Sequence, residues 1–372
     1  MKLFLKLFLN LLRAILVLAI VLFSLATLLG GSYIQTLLLL IMATAILWWP
    51  AKIKARWSKG VYAATRIIFI IILFVSNIIF FRPDPKSSIY ISEEYRTQLM
   101  EIYDSQLSSW PTSTESFYIQ SKYGEVHVLA CGSEDDPPLV MVHAASMGAH
   151  SWAENLEPLE GHYRIYAIDN IGEGNRSQLT DVLQYPNSEK EIADHLALVL
   201  DELGIQSCPL FGASNGGFIV QCFAYYYPER AESLALFGPM GLTKLTGGSI
   251  VMLSIATMYP TQFIRNWVTK WALGEDDYVR NAYGEWFECI LKGTIPSVAH
   301  PVPMTSEQKE EMKLPVLLFL GTNDPIVGDA YKARDAGKVY PNIRIEILES
   351  GHLVAVEKFQ RVNEVVAEFL GI

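Results

Sequence analysis

A serine in the middle of the chain lies in a pattern that suits a nucleophile. Residues Gly212 to Gly216 read G-A-S-N-G, which puts Ser214 at the centre of a G-x-S-x-G motif. The motif alone is weak, because a chain of this length meets it by chance about one time in ten. Its context is specific: a short apolar run, Pro209 to Phe211, precedes it, and a helix-like segment, Phe218 to Tyr227, follows it. A strand, a tight turn of small residues and a helix together present a strained, reactive serine hydroxyl.

A histidine and an acid that could activate this serine occur later in the chain. A serine hydroxyl is a poor nucleophile until a base takes its proton, and the base must be oriented by a third group. Asp324 lies 110 residues after Ser214, His352 lies another 28 residues on, and each follows an apolar run. This order and placement predict a Ser-His-Asp triad, with His352 as the base and Asp324 as its orienting acid. Asp329 or Glu349 could take the place of Asp324.

Attack by a serine on a carbonyl group also requires hydrogen-bond donors for the oxygen that becomes negative. The backbone N–H of Asn215, at the amino end of the predicted helix, is the first expected donor. The second donor should come from the loop that follows the apolar run Leu139 to Val142. The N–H of Ala144, in that loop, is the predicted second donor.

The other residue types that often carry chemistry form no recognisable pattern. The four cysteines include no CxxC pair and the seven histidines include no HExxH, so neither a metal nor a cofactor is predicted. A disulfide between Cys208 and Cys222 is conceivable, but buried free thiols are the favoured interpretation.

From Ser116 onward, strand-like and helix-like runs alternate along the chain. The strand-like runs are Phe117–Ser121, Glu125–Ala130, Leu139–Val142, Tyr163–Ile168, Pro209–Phe211, Ser233–Phe237, Val316–Leu320 and Ile343–Leu348, and the helix-like runs are Ser188–Leu203, Phe218–Tyr227 and Val354–Leu370. This alternation predicts an α/β fold with a mostly parallel sheet, whose strand ends would bring the distant side chains together. It stops at about residues 239–314, where a helix-like segment rich in large apolar residues indicates a cap over the sheet.

The first 82 residues have a composition of their own. They contain nine of the 29 Lys and Arg residues and no Asp or Glu. Three uncharged apolar stretches, Ala14 to Leu29, Tyr33 to Trp49 and Ile67 to Phe81, each approach the ~20 residues that a helix needs to cross a membrane, the third only when it is extended back to Val61. They predict three transmembrane helices that form a membrane anchor. A cleaved signal peptide for the first stretch and a helical hairpin of a water-soluble protein are the alternatives.

The positive charges of this region predict its orientation. Lys2, Lys6 and Arg13 precede the first stretch, and further Lys and Arg residues lie between the second and the third. The positive-inside rule then puts the N-terminus in the cytoplasm and, after three crossings, everything beyond Phe81 on the outer side. The sequence therefore predicts a multi-pass membrane protein with its catalytic domain on the extracytoplasmic side.

A polar, proline-rich stretch, Arg82 to Ser88, separates the two regions. The predicted organisation is an anchor over residues 1–82, a linker and lead-in over 83–113, and an α/β domain over 114–372. Beyond residue 82 there remain 20 basic and 39 acidic residues, a net charge of −19. Such acidity argues against nucleic acid as a partner, because nucleic acid is bound through a basic surface.

Five segments of the α/β region match one known family. They are Val142-His143, Asp169 to Ser177, the motif around Ser214, Gly321 to Asp324, and Gly351-His352. Through them, residues 116–372 resemble the α/β-hydrolase superfamily, in particular its capped, carboxylesterase-like members. The resemblance implies an eight-stranded sheet, a helical cap, no metal, and transfer of an acyl group to water. Where the family has His-Gly, this chain has His-Ala.

These features predict a serine hydrolase that cleaves carboxylic esters through an acyl-enzyme intermediate. The apolar cap and the membrane anchor favour a lipophilic or lipid-like ester as the substrate, with the membrane as a second partner. The same side chains could instead serve thioesters, amides, lactones or carbon–carbon bonds. Ser214 argues against dehalogenases and epoxide hydrolases, which use an aspartate as the nucleophile. Outside the enzymes, the alternative is a non-catalytic scaffold that binds a ligand.

Overall fold

The computed structural model describes residues 88–111, 113–244 and 262–372. They belong to one structural unit, Pro85–Ile372. The predicted membrane anchor, with its three transmembrane helices, lies outside the described residues. Within the three described ranges, no helix is both long enough and apolar enough to span a membrane.

Nine strands of the described residues form one mixed sheet. They are β1 (Glu115–Ser121), β2 (Gly124–Cys131), β3 (Pro138–Val142), β4 (Arg164–Ile168), β5 (Gln178–Leu179), β6 (Cys208–Ala213), β7 (Ala231–Phe237), β8 (Val316–Gly321) and β9 (Ile343–Leu348). Along the sheet the order is β1-β2-β4-β3-β6-β7-β8-β9, and β5 pairs with β2. β2 is antiparallel to β1, β4 and β5, whereas the pairings from β4 to β9 are parallel. The predicted α/β fold with a mostly parallel sheet is confirmed.

The predicted count of eight strands is wrong by one, because the ninth strand is too short to leave a pattern. β5 consists of Gln178 and Leu179, which pair with Glu125 and Gly124 at the start of β2. Two residues cannot show the alternation of apolar and polar side chains by which a strand is recognised in a sequence.

All but the first of the helices follow a strand in the sequence, much as the alternation predicts. The described residues form α1 (Glu93–Gln106), α2 (Glu189–Glu202), α3 (Asn215–Tyr226), α4 (Gln262–Leu273), α5 (Asp277–Gly293), α6 (Ser306–Glu311), α7 (Ala330–Gly337), α8 (Val354–Glu357) and α9 (Phe359–Leu370). The hydroxyl of Ser188 accepts the N–H of Glu191 and so caps the start of α2. α1, in the predicted lead-in, buries Leu99 and Tyr103. The last predicted helix is interrupted at Lys358, which separates α8 from α9.

Apolar side chains cover both faces of the sheet. Neighbours along a strand point to opposite faces: in β3, Leu139 and Met141 join one buried cluster, and Val140 and Val142 join another. The first cluster includes residues of α1, α5 and α9, and the second includes residues of α2, α3 and α7. Burial on both faces explains why the parallel strands appear in the sequence as continuous apolar runs. The loops of the predicted catalytic side chains begin where β6, β8 and β9 end.

The segment predicted as a cap, about residues 239–314, is helical over much of its described part. It contains α4, α5 and α6, and α5 packs against both α1 and α4. The Trp286 side chain of α5 is fully buried, and its indole N–H donates to the carbonyl oxygen of Ser146. A helix of this segment therefore contacts the loop after β3, in which Ala144 lies.

Candidate active site

Ser214 lies at the turn between β6 and α3 in a strained backbone conformation. Its φ of 49° is a left-handed value that residues with a side chain seldom adopt. Within the described ranges, Ser146 is the one other non-glycine residue with a positive φ. The turn also needs small neighbours, since a Cβ atom on Gly216 would come within 2.1 Å of the Val142 carbonyl oxygen. The close approach of α3 to β3 therefore requires the second glycine of the motif.

The structure brings the three predicted side chains together in one hydrogen-bonded chain. The Nε2 atom of His352 lies 2.8 Å from the Ser214 hydroxyl oxygen, and its Nδ1 atom lies 2.8 Å from Oδ2 of Asp324. The other carboxyl oxygen of Asp324 accepts the N–H groups of Ile326 and Val327, at 2.8 and 2.9 Å. With a proton on Nδ1 donated to the Asp324 carboxylate, Nε2 of His352 is the atom that can accept the serine proton.

The two alternative acids lie elsewhere. The carboxylate of Asp329 caps the start of α7, where it accepts two backbone N–H groups of that helix. Glu349 is exposed to solvent. Of the three carboxylates considered, Asp324 is the one that contacts His352, so the geometry favours it as the orienting acid.

Ser214 and His352 line a mainly apolar cavity. Its other polar side chain is Ser151, and its apolar lining includes Ala144, Met147, Trp152, Phe237, Leu353 and Val356. No Asp, Glu, Lys or Arg side chain lines it. Such a cavity suits an apolar ligand with one polar group near the serine.

Two backbone N–H groups beside this cavity are candidates for the oxyanion hole. Asn215 is the first residue of α3, directly after Ser214, and Ala144 lines the cavity itself. Neither N–H donates a hydrogen bond to any other residue that the structure describes. Both N–H groups are therefore available to a substrate oxygen, and their role as its donors stays a prediction.

Two residues that sequence reasoning missed hold the loop of Ala144. Oε2 of Glu173 accepts the backbone N–H of Ser146 at 2.6 Å, and the indole N–H of Trp286 donates to the carbonyl oxygen of Ser146 at 2.9 Å. Glu173 is 1% exposed, and burial raises the pKa of its carboxyl group to about 8. Glu173 lies in the segment Asp169 to Ser177 that carries the family resemblance, but a single glutamate in such a segment carries no signal of burial.

A second buried acidic residue holds the far end of the same loop. Asp169 directly follows β4 and is fully buried. It accepts the backbone N–H of Ala149 at 2.6 Å, the ring N–H of His127 at 2.8 Å and the hydroxyl of Tyr103 at 3.0 Å. Burial opposes ionisation of Asp169, but the hydrogen bonds from His127 and Ala149 outweigh it and lower the pKa to about 2. Asp169 is therefore ionised at neutral pH.

Among the described residues, the histidine, cysteine and carboxylate side chains form neither a metal site nor a disulfide. In the part of the chain that the structure describes, no three histidine, cysteine or carboxylate side chains lie together as metal ligands. All four cysteines are buried free thiols, so the disulfide considered between Cys208 and Cys222 is not formed. Burial raises the pKa of Cys131 and Cys289 to about 11.

Comparison with known proteins points to one fold, and several of the similar proteins are carboxylesterases. A family model described as the alpha/beta hydrolase fold matches residues 137–263. An uncharacterized carboxylesterase, nap, of Bacillus subtilis (strain 168) is 29% identical over 290 residues, which cover 72% of this chain and 91% of that protein. Carboxylesterase YbfK of the same organism is 24% identical over 299 residues, which cover 76% of this chain and 96% of that protein.

Solved structures agree with these relatives. The crystal structure of carboxylesterase CesB (YbfK) from Bacillus subtilis has a TM-score of 0.69 and 25% sequence identity, and the match covers 74% of this chain and 98% of that one. Naproxen esterase (carboxylesterase NP) from Bacillus subtilis has a TM-score of 0.68 and 27% sequence identity, and the match covers 74% of this chain and 97% of that one. The chain has the α/β-hydrolase fold, and its homologues are carboxylesterase-like.

Proposed function

We propose that this protein is a membrane-anchored serine esterase that hydrolyses lipophilic or lipid-like carboxylic esters. The chain is a hydrolase that acts on ester bonds, in line with its carboxylesterase relatives. The observation that carries the proposal is the hydrogen-bonded chain from Ser214 through His352 to Asp324, at the wall of an apolar cavity.

Hydrolysis runs in two steps in this proposal. Ser214 Oγ attacks the ester carbonyl carbon while Nε2 of His352 takes the hydroxyl proton. The carbonyl oxygen becomes negative and accepts hydrogen bonds from the N–H groups of Asn215 and Ala144. The imidazolium, stabilised by Asp324, protonates the leaving alcohol, and an acyl-serine remains. The same histidine then takes a proton from water, which attacks the acyl-serine, and the proton returns to Ser214 as the acid leaves.

The lining of the cavity supports a lipophilic substrate. The cavity has aromatic and aliphatic walls and no charged carboxylate, ammonium or guanidinium group. A charged acyl group would lose its hydration there without gaining a partner, whereas each buried methylene contributes about 0.8 kcal/mol. That contribution corresponds to about a fourfold gain in binding for each methylene that the cavity can hold.

Activity assays on the purified protein test this function. We expect covalent labelling by a fluorophosphonate probe and hydrolysis of p-nitrophenyl esters, with kcat/KM rising up to about fourfold per added methylene until the cavity is filled. The highest kcat/KM for the acetate ester would contradict a lipophilic substrate. Turnover of thioesters, amides, lactones or diketones without turnover of esters would favour another hydrolase reaction. The absence of both labelling and turnover would favour a ligand-binding scaffold.

The membrane anchor over residues 1–82 is the second part of the proposal. Its three apolar stretches and its positive charges support a multi-pass anchor with the catalytic domain outside the cytoplasm. Protease added to intact cells or spheroplasts should then digest the domain and leave a cytoplasmic control protein intact. A domain that is digested only after lysis would contradict this orientation.

A further inference from the structure

The loop between β3 and Ala149 contains a backbone strain that the nucleophile turn does not explain. Ser146 has a φ of 63°. This left-handed conformation is unfavourable for an L-residue and nearly free of cost for glycine. The hydrogen bonds of Ser146 with other described residues come from its backbone and not from its hydroxyl. The Ser146 side chain therefore does not offset the strain.

Two buried side chains from different elements hold Ser146 in this conformation. Glu173, in the loop after β4, accepts its N–H at 2.6 Å, and Trp286, in α5, donates to its carbonyl oxygen at 2.9 Å. Each of the two peptide groups that flank the Ser146 Cα atom is thus fixed by one partner. Glu173 is 1% exposed and Trp286 is 0% exposed. Hydrogen bonds in such surroundings are stronger than hydrogen bonds in water.

Glu173 also reaches the other side of the proposed oxyanion hole. The Asn215 side chain interacts with the same carboxyl group, and the Asn170 amide nitrogen lies 3.4 Å from its Oε1 atom. One carboxyl group therefore accepts a hydrogen bond from the loop of Ala144 and interacts electrostatically with the side chain of Asn215, the first residue of α3. These two places carry the two backbone N–H groups that would bind the negative oxygen.

We propose that Glu173 is a positioning residue for ester hydrolysis. With Trp286, it keeps Ser146 in its left-handed conformation and so keeps the Ala144 N–H directed at the oxygen that becomes negative. The inference rests on the proposed function, because it concerns a donor of the proposed oxyanion hole. A misplaced donor stabilises the transition state less and leaves the apolar cavity unchanged, so kcat falls while KM changes little.

Substitutions of Glu173 test this role. Glu173→Ala removes the acceptor of the Ser146 N–H, and kcat for a p-nitrophenyl ester should fall about 10- to 100-fold, with KM within about threefold of the wild-type value. Glu173→Gln keeps an oxygen that can accept this N–H and has nearly the same volume. Its kcat should stay within about fivefold of the wild-type value. Trp286→Phe, which removes the indole N–H and keeps an aromatic ring, should also lower kcat.

A second substitution in the loop separates positioning from a general loss of folding. In the Glu173→Ala background, Ser146→Gly removes the backbone penalty, so the loop can keep its conformation without the carboxyl group. We expect kcat to recover by about fivefold or more. Ser146→Ala in the same background keeps the penalty and should give no recovery, and it is the matched control. Thermal denaturation of each variant identifies any that is not folded.

The possible outcomes are distinct. Unchanged kcat in Glu173→Ala, or equal recovery with Ser146→Gly and Ser146→Ala, would overturn the positioning role. If Glu173→Ala does not fold, Ser146→Gly and Ser146→Ala are compared in the Trp286→Phe background. The positioning role would also be overturned if Ser146→Gly did not raise kcat there more than Ser146→Ala does. If the wild-type protein itself shows no ester cleavage that depends on Ser214, the proposed function fails. Failure of the proposed function is therefore seen in the wild-type protein, whereas failure of the positioning role is seen by comparing variants of an active enzyme.

Discussion

Ser214→Ala should lower kcat/KM for p-nitrophenyl esters by about 10⁴-fold or more and abolish labelling by a fluorophosphonate probe. The substitution removes the oxygen that would attack the ester, and no acyl-serine can form without it. It keeps the Cβ atom, so the strain of the left-handed turn at a φ of 49° is unchanged. The variant should therefore retain its thermal stability, which denaturation followed by circular dichroism measures.

A serine at the other end of the same strand provides the matched control. Ser207 directly precedes β6, and its hydroxyl donates to Glu232 on the surface. Ser207→Ala should keep both turnover and labelling near the wild-type level. Wild-type turnover in a folded Ser214→Ala protein would remove Ser214 from the mechanism, and with it the proposal of a serine esterase.

Asp324→Asn should lower kcat by about 10⁴-fold with little change in KM. The N–H groups of Ile326 and Val327 both point at Oδ1 of Asp324 and require an oxygen there. The asparagine must then place its NH₂ group where Oδ2 now faces Nδ1 of His352. A donor at that place forces the imidazole proton onto Nε2, which can no longer accept the proton of the serine hydroxyl.

The control for this substitution is Asp329→Asn. Asparagine is as good as aspartate at the start of a helix, so α7 should keep its cap and kcat should change by less than about twofold. Steady-state kinetics of the two variants, with denaturation curves beside them, provide the comparison. An Asp324→Asn protein as active as Asp329→Asn would exclude Asp324 as the orienting acid.

The three hydrogen-bonded side chains of the candidate active site could be predicted because their positions follow from strand order. Ser214, Asp324 and His352 each lie directly beyond an apolar run, and the carboxyl ends of parallel strands meet at one edge of a sheet. The mostly parallel sheet was predictable for the same reason. The pattern of apolar and polar residues was sufficient to predict each strand or helix that was long enough to repeat that pattern.

The support of the loop after β3 could not be predicted, because it depends on contacts between distant parts of the chain. Trp286 lies 140 residues from Ser146, and nothing near either residue in the sequence indicates that they meet. A serine with a positive φ also has no sequence signature, since glycine is the residue expected there. The observed start of α3 differs from the predicted start for a related reason. It begins at Asn215, ahead of the predicted Phe218, because packing overrides the low helix propensity of the two glycines between them.

The four buried thiols make the folded domain nearly inert to reagents that attack sulfur. Alkylation and oxidation both proceed through the thiolate, and burial raises the pKa of Cys208 to about 12 and keeps that of Cys222 higher still. A change in the redox state of the compartment would therefore leave the native enzyme untouched. The four cysteines can form non-native disulfides only while the chain is unfolded, during synthesis or after denaturation, because all four thiols are then exposed to solvent.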